Sequence, residues 1–330
     1  IAEMSGNHNG DIQRAFQIIE QAKAAGADAI KLQSYRPDTI TIDHDAPEFM
    51  IEGGLWDGRR LYELYEEAHT PWEWHGSLFE RARALGITIF SAPFDPTAVD
   101  MLEELGAPAY KIASPEIIDI PLIEYVARTG KPMVMSTGMA SYEEIMEAVS
   151  AARMAGAEEI VLLHCTSAYP TPPEEANLTT IPDLKAHTGL LTGLSDHTLD
   201  TTVANTAVAL GACVIEKHFT LSRAEGGVDS AFSLTPDEFT SLVNHTRTAW
   251  SALGKPNYRP TKSEVAVLKH RRSLYAVRPI KAGEVFTHEN VRSIRPANGL
   301  PPKYLPQVLG KRAACDIEFG QPLSFDYLLD

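Results

Sequence analysis

Eight short apolar runs, each followed by a stretch with helical spacing, recur along the first 250 residues of the 330-residue chain, and this rhythm limits the fold more than any other feature. The runs fall at residues 1–4, 29–33, 88–92, 109–113, 133–136, 161–164, 191–194 and 213–218. Their apolar residues are continuous rather than alternating, the pattern of parallel strands covered on both faces. Between them lie helix starts: Thr70-Pro71-Trp72-Glu73, Ser141-Tyr142-Glu143-Glu144 and Thr235-Pro236-Asp237-Glu238 each pair a capping hydroxyl with an acid three residues on. Gly26, Gly86, Gly106, Gly130, Gly156 and Gly211 stand where helices should stop. Eight such units predict an α/β fold, a closed (β/α)8 TIM barrel, with an open doubly wound sheet as the alternative. Residues 37–69 are too long for an ordinary connection and read as a functional loop carrying Gly53-Gly54-Leu55-Trp56-Asp57-Gly58.

After Trp250 the rhythm changes. Residues 1–253 form the predicted barrel, 254–271 a linker, and 272–330 a small second domain of short strands and turns. The linker opens with a Gly- and Pro-rich piece, 254–260, and continues as a short basic helix over 261–271 with its own Thr261-x-x-Glu264 cap. The net charge of −15 disfavours nucleic acid and anionic membrane surfaces as partners, and an anionic substrate would need a local positive site. No run approaches the ~18 apolar residues of a membrane span. Three widely spaced cysteines fit a reducing, cytoplasmic setting. Cys165 and Cys213 adjoin strands and read as small core residues.

A TIM barrel builds its active site where strands end at the C-terminal face. The strand ends here are polar: Glu3; Lys31 and Gln33; Ser91; Lys111, Ser114 and Glu116; Ser136 and Thr137; His164 and Thr166; Ser195, Asp196 and His197; His218. Lys31 and Lys111 sit inside apolar strands, where a lysine needs a partner. They either form buried ion pairs with Glu3 or Glu116, or cradle a phosphate and carboxylate with Ser114, Ser136 and Ser195. His197 and His218 end neighbouring strands, about 4.8 Å apart, at the expected solvent-accessible mouth. Two imidazoles there could share a divalent metal with open positions, suited to Mn²⁺ as a Lewis acid rather than to a closed zinc site. They could equally serve as ordinary hydrogen-bonding groups. Asp196 either orients an imidazole or caps a helix starting near Leu199.

These residues, in order, resemble the sialic acid synthase family. The resemblance is carried by Glu3…Asn7-His8-Asn9-Gly10, Lys31-Leu32-Gln33, Tyr110-Lys-Ile-Ala-Ser114, Ser136-Thr-Gly-Met139, His164-Cys-Thr166, Tyr169-Pro-Thr-Pro172, Gly193-Leu-Ser-Asp-His197 and Glu216-Lys-His218. From Arg272 onward the chain is similar to that family's antifreeze-protein-like (SAF) domain. Gly53-Gly-Leu-Trp-Asp57, Leu61-Tyr-Glu-Leu-Tyr65, Thr70-Pro-Trp-Glu-Trp-His75 and Arg292-Ser-Ile-Arg-Pro296 look like the pseudaminate-forming branch. N-acetylneuraminate or legionaminate synthesis is the alternative, and a non-catalytic carbohydrate- or ice-binding protein the reading from another class.

The resemblance implies condensation of phosphoenolpyruvate with the amino-sugar aldehyde 2,4-diacetamido-2,4,6-trideoxy-altrose in a domain-swapped homodimer. It implies that Lys31, Lys111, Ser114, Ser136 and Ser195 hold phosphoenolpyruvate, that Ser167 is substrate-binding, and that Glu3, Gln33, Tyr169 and Asp229 contact the sugar. Glu116 would take the proton of the attacking water, with Glu3 and Lys111 also in the catalytic set. His197 and His218 would hold the metal, Mn²⁺ ahead of Mg²⁺ or Co²⁺. Arg295, in Arg295-Pro296-Ala297-Asn298-Gly299, would reach the partner subunit's site. Ala92 and Ser167 depart from the neuraminate-type pattern, where a Thr and an Asn are common.

Overall fold

Eight parallel strands close into a barrel in sequence order in a computed structural model that describes residues 1–329. They are β1 (Ala2–Glu3), β2 (Ala29–Ser34), β3 (Thr88–Pro93), β4 (Tyr110–Ile112), β5 (Met133–Ser136), β6 (Ile160–Cys165), β7 (Leu191–Asp196) and β8 (Ile215–His218). Closure is made by β1, whose Glu3 stands opposite both Lys31 of β2 and His218 of β8. All eight expected strands form, and the closed barrel rules out the open sheet.

The helices follow the expected rhythm: α1 (Ile12–Ala24), α2 (Pro37–Ile40), α3 (Leu61–Ala68), α4 (His75–Leu85), α5 (Pro96–Glu104), α6 (Ile120–Ala127), α7 (Tyr142–Met154), α8 (Thr180–Thr188), α9 (Thr202–Ala209) and α10 (Pro236–Leu253). Ser141 with Glu144 and Thr235 with Glu238 form capping boxes at α7 and α10. The expected box at Thr70 does not form. Trp72–Trp74 make a 3₁₀ turn, and α4 starts at His75. The His75 imidazole bonds the carbonyls of Pro71 and Trp72, 3.2 Å each, so a side chain from within the helix holds this entry. Gly86 ends α4 with a left-handed φ of 65°, which a side chain would strain. The stretch expected as one long loop contains α2 and α3. Leu61, Leu64, Tyr65 and Ala68 have helical spacing that the flanking glycines obscured, and Leu64 is the buried member.

Strand parity organises the barrel wall. Ile30, Leu32, Tyr110, Ile112, Met133, Met135, Ile160 and Leu162 point outward into one apolar layer shared with α1, α4, α6 and α7. The residues between them face inward, because side chains of one strand alternate between faces. The two sides of this wall are therefore an apolar packing layer and, at the C-terminal end, a polar interior.

The chain divides into two compact units, Ile1–Gly254 and Lys255 onward. The second takes in the stretch read as a linker, where α11 covers only Lys262–Val265 and a 3₁₀ turn covers Leu268–His270, a shorter helix than expected. Its own core gathers Leu274, Ala276, Ile280, Phe286, Val291, Val308, Ala313, Ile317 and Leu323. Antiparallel pairs join β9 (Ser273–Ala276) to β10 (Val291–Ile294) and β11 (Arg312–Ala313) to β12 (Leu328–Leu329). A second α-helical turn, α12 (Leu305–Val308), packs against this core through Val308. Among the described residues no helix is long and apolar enough to cross a membrane.

Candidate active site

Inside the barrel, five strands contribute to one charged cluster. The Lys31 ammonium lies 2.8 Å from Glu3 and 3.2 Å from Glu216, and Lys111 lies 3.1 Å from the same Glu216 oxygen. The Ser195 hydroxyl donates to that oxygen at 3.1 Å. All four charged residues are nearly sealed, at 1–4% exposure. Such contacts from β1, β2, β4, β7 and β8 can meet only in the interior, which fixes the inward parity of these positions. Burial opposes the charge on Lys31, but Glu216 and Glu3 outweigh it and raise its pKa. Burial likewise opposes the Glu216 carboxylate, but Lys111 and Lys31 prevail and hold it well below the usual range. Burial raises Glu3, against the pull of Lys31. The lysines thus have carboxylate partners, Glu3 as expected and Glu216 in place of Glu116.

Beside this cluster runs a small hydroxyl-lined shelf. Ser114 Oγ accepts from the Gly138 N–H at 3.1 Å. A Cβ on Gly138 would come within 2.7 Å of Ser114 Oγ and closer still to Ser167 Oγ, so only glycine lets these two hydroxyls approach the backbone. Ser136 Oγ is buried without a hydrogen-bond partner among the described residues. Cys165 Sγ lies 3.9 Å from Ser167 Oγ and 4.0 Å from His197 Nδ1. Burial would raise the Cys165 thiol, yet His197 and Ser114 bring it down to about 7. Shelf and lysines together present N–H, O–H and ammonium donors, the groups that bind phosphate and carboxylate oxygens.

His197 and His218 stand with ring centroids 5.3 Å apart. His197 Nδ1 donates to the Thr166 carbonyl at 3.0 Å, which leaves Nε2 with its lone pair. His218 Nδ1 is buried and has no partner among the described residues, and burial holds this imidazole well below its ordinary pKa. Burial opposes a charge on His197, but Cys165 and the Thr166 carbonyl outweigh it and raise its pKa, so a cation there would displace a proton. With that proton gone, the two imidazoles offer nitrogens without partners among the described residues, which fit a divalent ion. No cluster of three or more His, Cys, Asp or Glu donors exists among the described residues, so water and substrate would complete the shell. His197 is only 5% exposed, deeper than the mouth position expected for it.

An aromatic wall backs the histidines. Tyr169 lies 4.4 Å from His197 and 5.0 Å from Phe232, and Phe232 lies 4.8 Å from His218, centroid to centroid. Trp56, from the segment between β2 and α3, comes 5.7 Å from Tyr169, with its indole N–H on the Val228 carbonyl at 2.9 Å. Asp229 is buried and accepts from Ser5 Oγ and from the Gly6 N–H at 3.3 Å, and burial raises its pKa. Gln33 is half-buried on the inward face of β2. Glu116 follows β4; one carboxylate oxygen is buried without a partner among the described residues, and burial raises the group to about 7.

Several expected positions lie elsewhere. Ser91 bonds Ser34 at 2.6 Å, and Ser34 bonds His75 of α4 at 2.8 Å, outside the barrel wall. His164 gives its Nε2 to the Ala176 carbonyl at 2.7 Å. Asp196 pairs with Lys217 at 2.6 Å and bonds Thr198; it neither holds an imidazole nor caps α9, which begins at Thr202. Parity explains all three, since each is an outward position one residue from an inward one. The same parity would have found Glu216, two residues before His218, and Cys165, which alternation turns inward. Phe232 lay beyond the last strand and had no such signal. Cys213 is exposed rather than in the core. Arg295 is in the second unit, exposed, with no ion pair among the described residues.

Comparison with known proteins agrees with this geometry. The NeuB family model matches residues 18–258 and the SAF domain model residues 271–329. A pseudaminic acid synthase of Campylobacter jejuni is 47% identical over 98% of this chain and 94% of its own length. One from Helicobacter pylori is 43% identical over 99% of this chain and 96% of its own. The crystal structure of an N-acetylneuraminic acid synthetase from Leptospira borgpetersenii in complex with citrate superimposes with a TM-score of 0.73 at 34% identity, over 82% of this chain and 90% of that one.

Proposed function

This chain belongs to the NeuB family, and from that premise we infer that it condenses phosphoenolpyruvate with an amino-sugar aldehyde and water, giving pseudaminic acid and inorganic phosphate. The observation that carries the chemistry is the sealed Lys31–Glu216–Lys111 cluster facing the barrel interior beside the Ser114, Ser136 and Ser167 hydroxyls. Sealing even paired charges from water is costly, and an inactive carbohydrate- or ice-binding barrel would have no use for a four-residue ionic cluster in its interior.

Lys31, Lys111, Ser114, Ser136, Ser167 and Ser195 hold the phosphate and carboxylate of phosphoenolpyruvate in this reading. Glu3, Gln33, Tyr169 and Asp229 contact the open-chain sugar, 2,4-diacetamido-2,4,6-trideoxy-altrose. The C2–C3 electron pair of phosphoenolpyruvate forms the bond to the aldehyde carbon, whose oxygen takes a proton from solvent, offset by the proton that Glu116 accepts from water and returns to solvent. Water adds at C2 and gives its proton to Glu116, which its raised pKa suits for transfer near neutrality. Collapse of the tetrahedral carbon breaks the C2–O bond to phosphate, the C2 hydroxyl proton passes to the departing phosphate, and the 2-keto acid is left. Fixed donors at Lys31 and Lys111 stabilise the negative charge without reorganisation during the reaction. His197 and His218 would hold a divalent ion, Mn²⁺ ahead of Mg²⁺ or Co²⁺, and polarisation of a carbonyl oxygen is the chemistry such an ion supplies when bound.

The reading includes a domain-swapped homodimer in which Arg295 reaches the partner subunit's barrel mouth; its exposed guanidinium is free to offer a fork of hydrogen bonds to a sugar amide. It also includes a cytoplasmic setting, where three free cysteines stay reduced. The test is phosphate release from phosphoenolpyruvate with each of three sugars: the diacetamido-trideoxy-altrose, the legionaminate precursor and N-acetylmannosamine. The Trp56–Tyr169–Phe232 wall favours the 6-deoxy sugar over one with a hydroxylated tail, on the order of 10²-fold. Equal turnover of N-acetylmannosamine overturns the pseudaminate assignment, and Trp56→Ala is expected to narrow the preference.

A further inference from the structure

Each of the two site histidines is preceded by a charged residue. Asp196 comes before His197 on β7, and Lys217 before His218 on β8. The ladder sets Asp196 directly opposite Lys217. Alternation turns this pair outward, away from the reaction, while the histidines that follow turn inward. Asp196 and Lys217 meet at 2.6 Å with side chains 1% and 0% exposed. The neighbouring α9 buries Val203, Ala204, Ala207 and Val208, so the polar partners of this pair come from the chain that follows β7. Stripping two ions of water is costly, and here their mutual contact and their hydrogen bonds to Thr198 and Asp200 offset that cost.

The pair also reaches the chain on the far side of His197. Asp196 Oδ1 accepts from the Thr198 N–H at 2.9 Å and its hydroxyl at 2.8 Å. The Lys217 ammonium donates to the Thr198 carbonyl and to the Asp200 carbonyl at 3.1 Å. The residues on both sides of His197 are thereby tied to the residue before His218. His197 has a further anchor in Thr166, whereas His218 Nδ1 has no partner among the described residues and its ring rests on Phe232. The place of His218 relative to His197 therefore depends on the ends of β7 and β8 staying in register.

We propose that Asp196 and Lys217 are a positioning pair that sets the separation of His197 and His218 for a shared divalent cation. This rests on the metal reading given above. Ligand distances in such a site tolerate displacements of only about 0.2 Å, so a strand-end clamp on both ligands bears directly on affinity. Supporting groups behind metal ligands typically change affinity by about 10–100-fold when removed.

The experiment is Mn²⁺ titration of the full-length chain without substrate, alongside phosphoenolpyruvate binding in the presence of chelator. The variants are Lys217→Met, the double variant Asp196→Asn with Lys217→Met, which strands no charge, and Asp196→Asn, whose isosteric amide can still accept from Thr198. Mn²⁺ affinity is expected to fall by about 10–100-fold in the double variant and by about tenfold in Asp196→Asn. Phosphoenolpyruvate binding, which uses the interior lysines, is expected to change by less than about twofold, within the near-additivity of separate sites. If His197→Ala and His218→Ala abolish Mn²⁺ binding while the Asp196 and Lys217 variants bind as the parent does, the positioning role is wrong and the metal site stands. A parent chain that binds no Mn²⁺ through the histidines sinks the metal reading and this proposal with it. Parallel losses of Mn²⁺ and phosphoenolpyruvate binding would mean general loosening of the barrel and also overturn it.

Discussion

Replacing Glu116 by Gln should make the barrel more stable by an amount that opens as pH rises above about 4.5 and is complete above about 7. Burial raises this carboxyl from its ordinary 4.5 to about 7. A group that ionises less readily in the folded chain contributes stability that is fully present below about 4.5 and is lost as pH rises through about 7. A tenfold change in acidity is worth about 1.4 kcal/mol, so the full displacement corresponds to about 3 kcal/mol. Part of the side chain reaches solvent, which reduces the expected effect to about 1–2 kcal/mol. Glu116→Gln cannot ionise and escapes this loss. Urea unfolding followed by tryptophan emission reads the barrel alone, because Trp56, Trp72, Trp74 and Trp250 all precede residue 254. The variant should exceed the parent by about 1–2 kcal/mol near pH 8.5 and match it near pH 4. A difference that does not depend on pH, or a variant that is weaker at high pH, would refute the burial argument. The same carboxyl should give the parent's kcat/KM an acid limb with a midpoint near 7, because only the ionised form accepts the proton of water. Glu116→Gln should remove that limb and lower the rate by about 10²–10⁴-fold.

His197→Ala or His218→Ala should abolish condensation in a folded protein, and chelation should silence the parent until Mn²⁺ is returned; full activity in a chelated, metal-free preparation would exclude the metal role. Arg295→Ala should raise the sugar KM strongly with little change for phosphoenolpyruvate. Mixing it with His197→Ala subunits should restore some activity, measured by phosphate release, because one hybrid site then holds both residues. Gly138→Ala would push a methyl against Ser114 and Ser167, so the KM for phosphoenolpyruvate should rise at least about tenfold while Mn²⁺ affinity holds.

The barrel was legible because its strands are buried on both faces and so appear as uninterrupted apolar runs. Lys31 and Lys111 were legible for the converse reason, as charges where apolar residues belong. Reading strand ends as lists of polar residues lost the distinction between the two faces. Ser91, His164 and Asp196 entered the candidate site although they face the helices, and Glu216 was quoted in a motif without a role. Alternation counted back from His197 and His218 separates the two sets. The helix at Leu61–Ala68 was hidden because its apolar spacing is short and follows a glycine-rich turn. Phe232 and Trp56 meet Tyr169 through folding of distant segments, which no local pattern encodes.

The Glu3–Lys31–Glu216–Lys111 cluster also sets a limit on what engineering for heat resistance can achieve. These four side chains fill interior barrel positions where Val, Ile and Leu ordinarily stack. Replacing buried ion groups with well-packed apolar residues often stabilises a protein, by about 1–4 kcal/mol. A library selected for thermal tolerance alone would therefore drift toward leucine and methionine at positions 3, 31, 111 and 216. Under the proposed reading, its fittest survivors by that criterion would be barrels without the two lysines that hold phosphoenolpyruvate. Selection for stability should leave these four positions fixed and seek its gains in the outward layer and in the second unit's core.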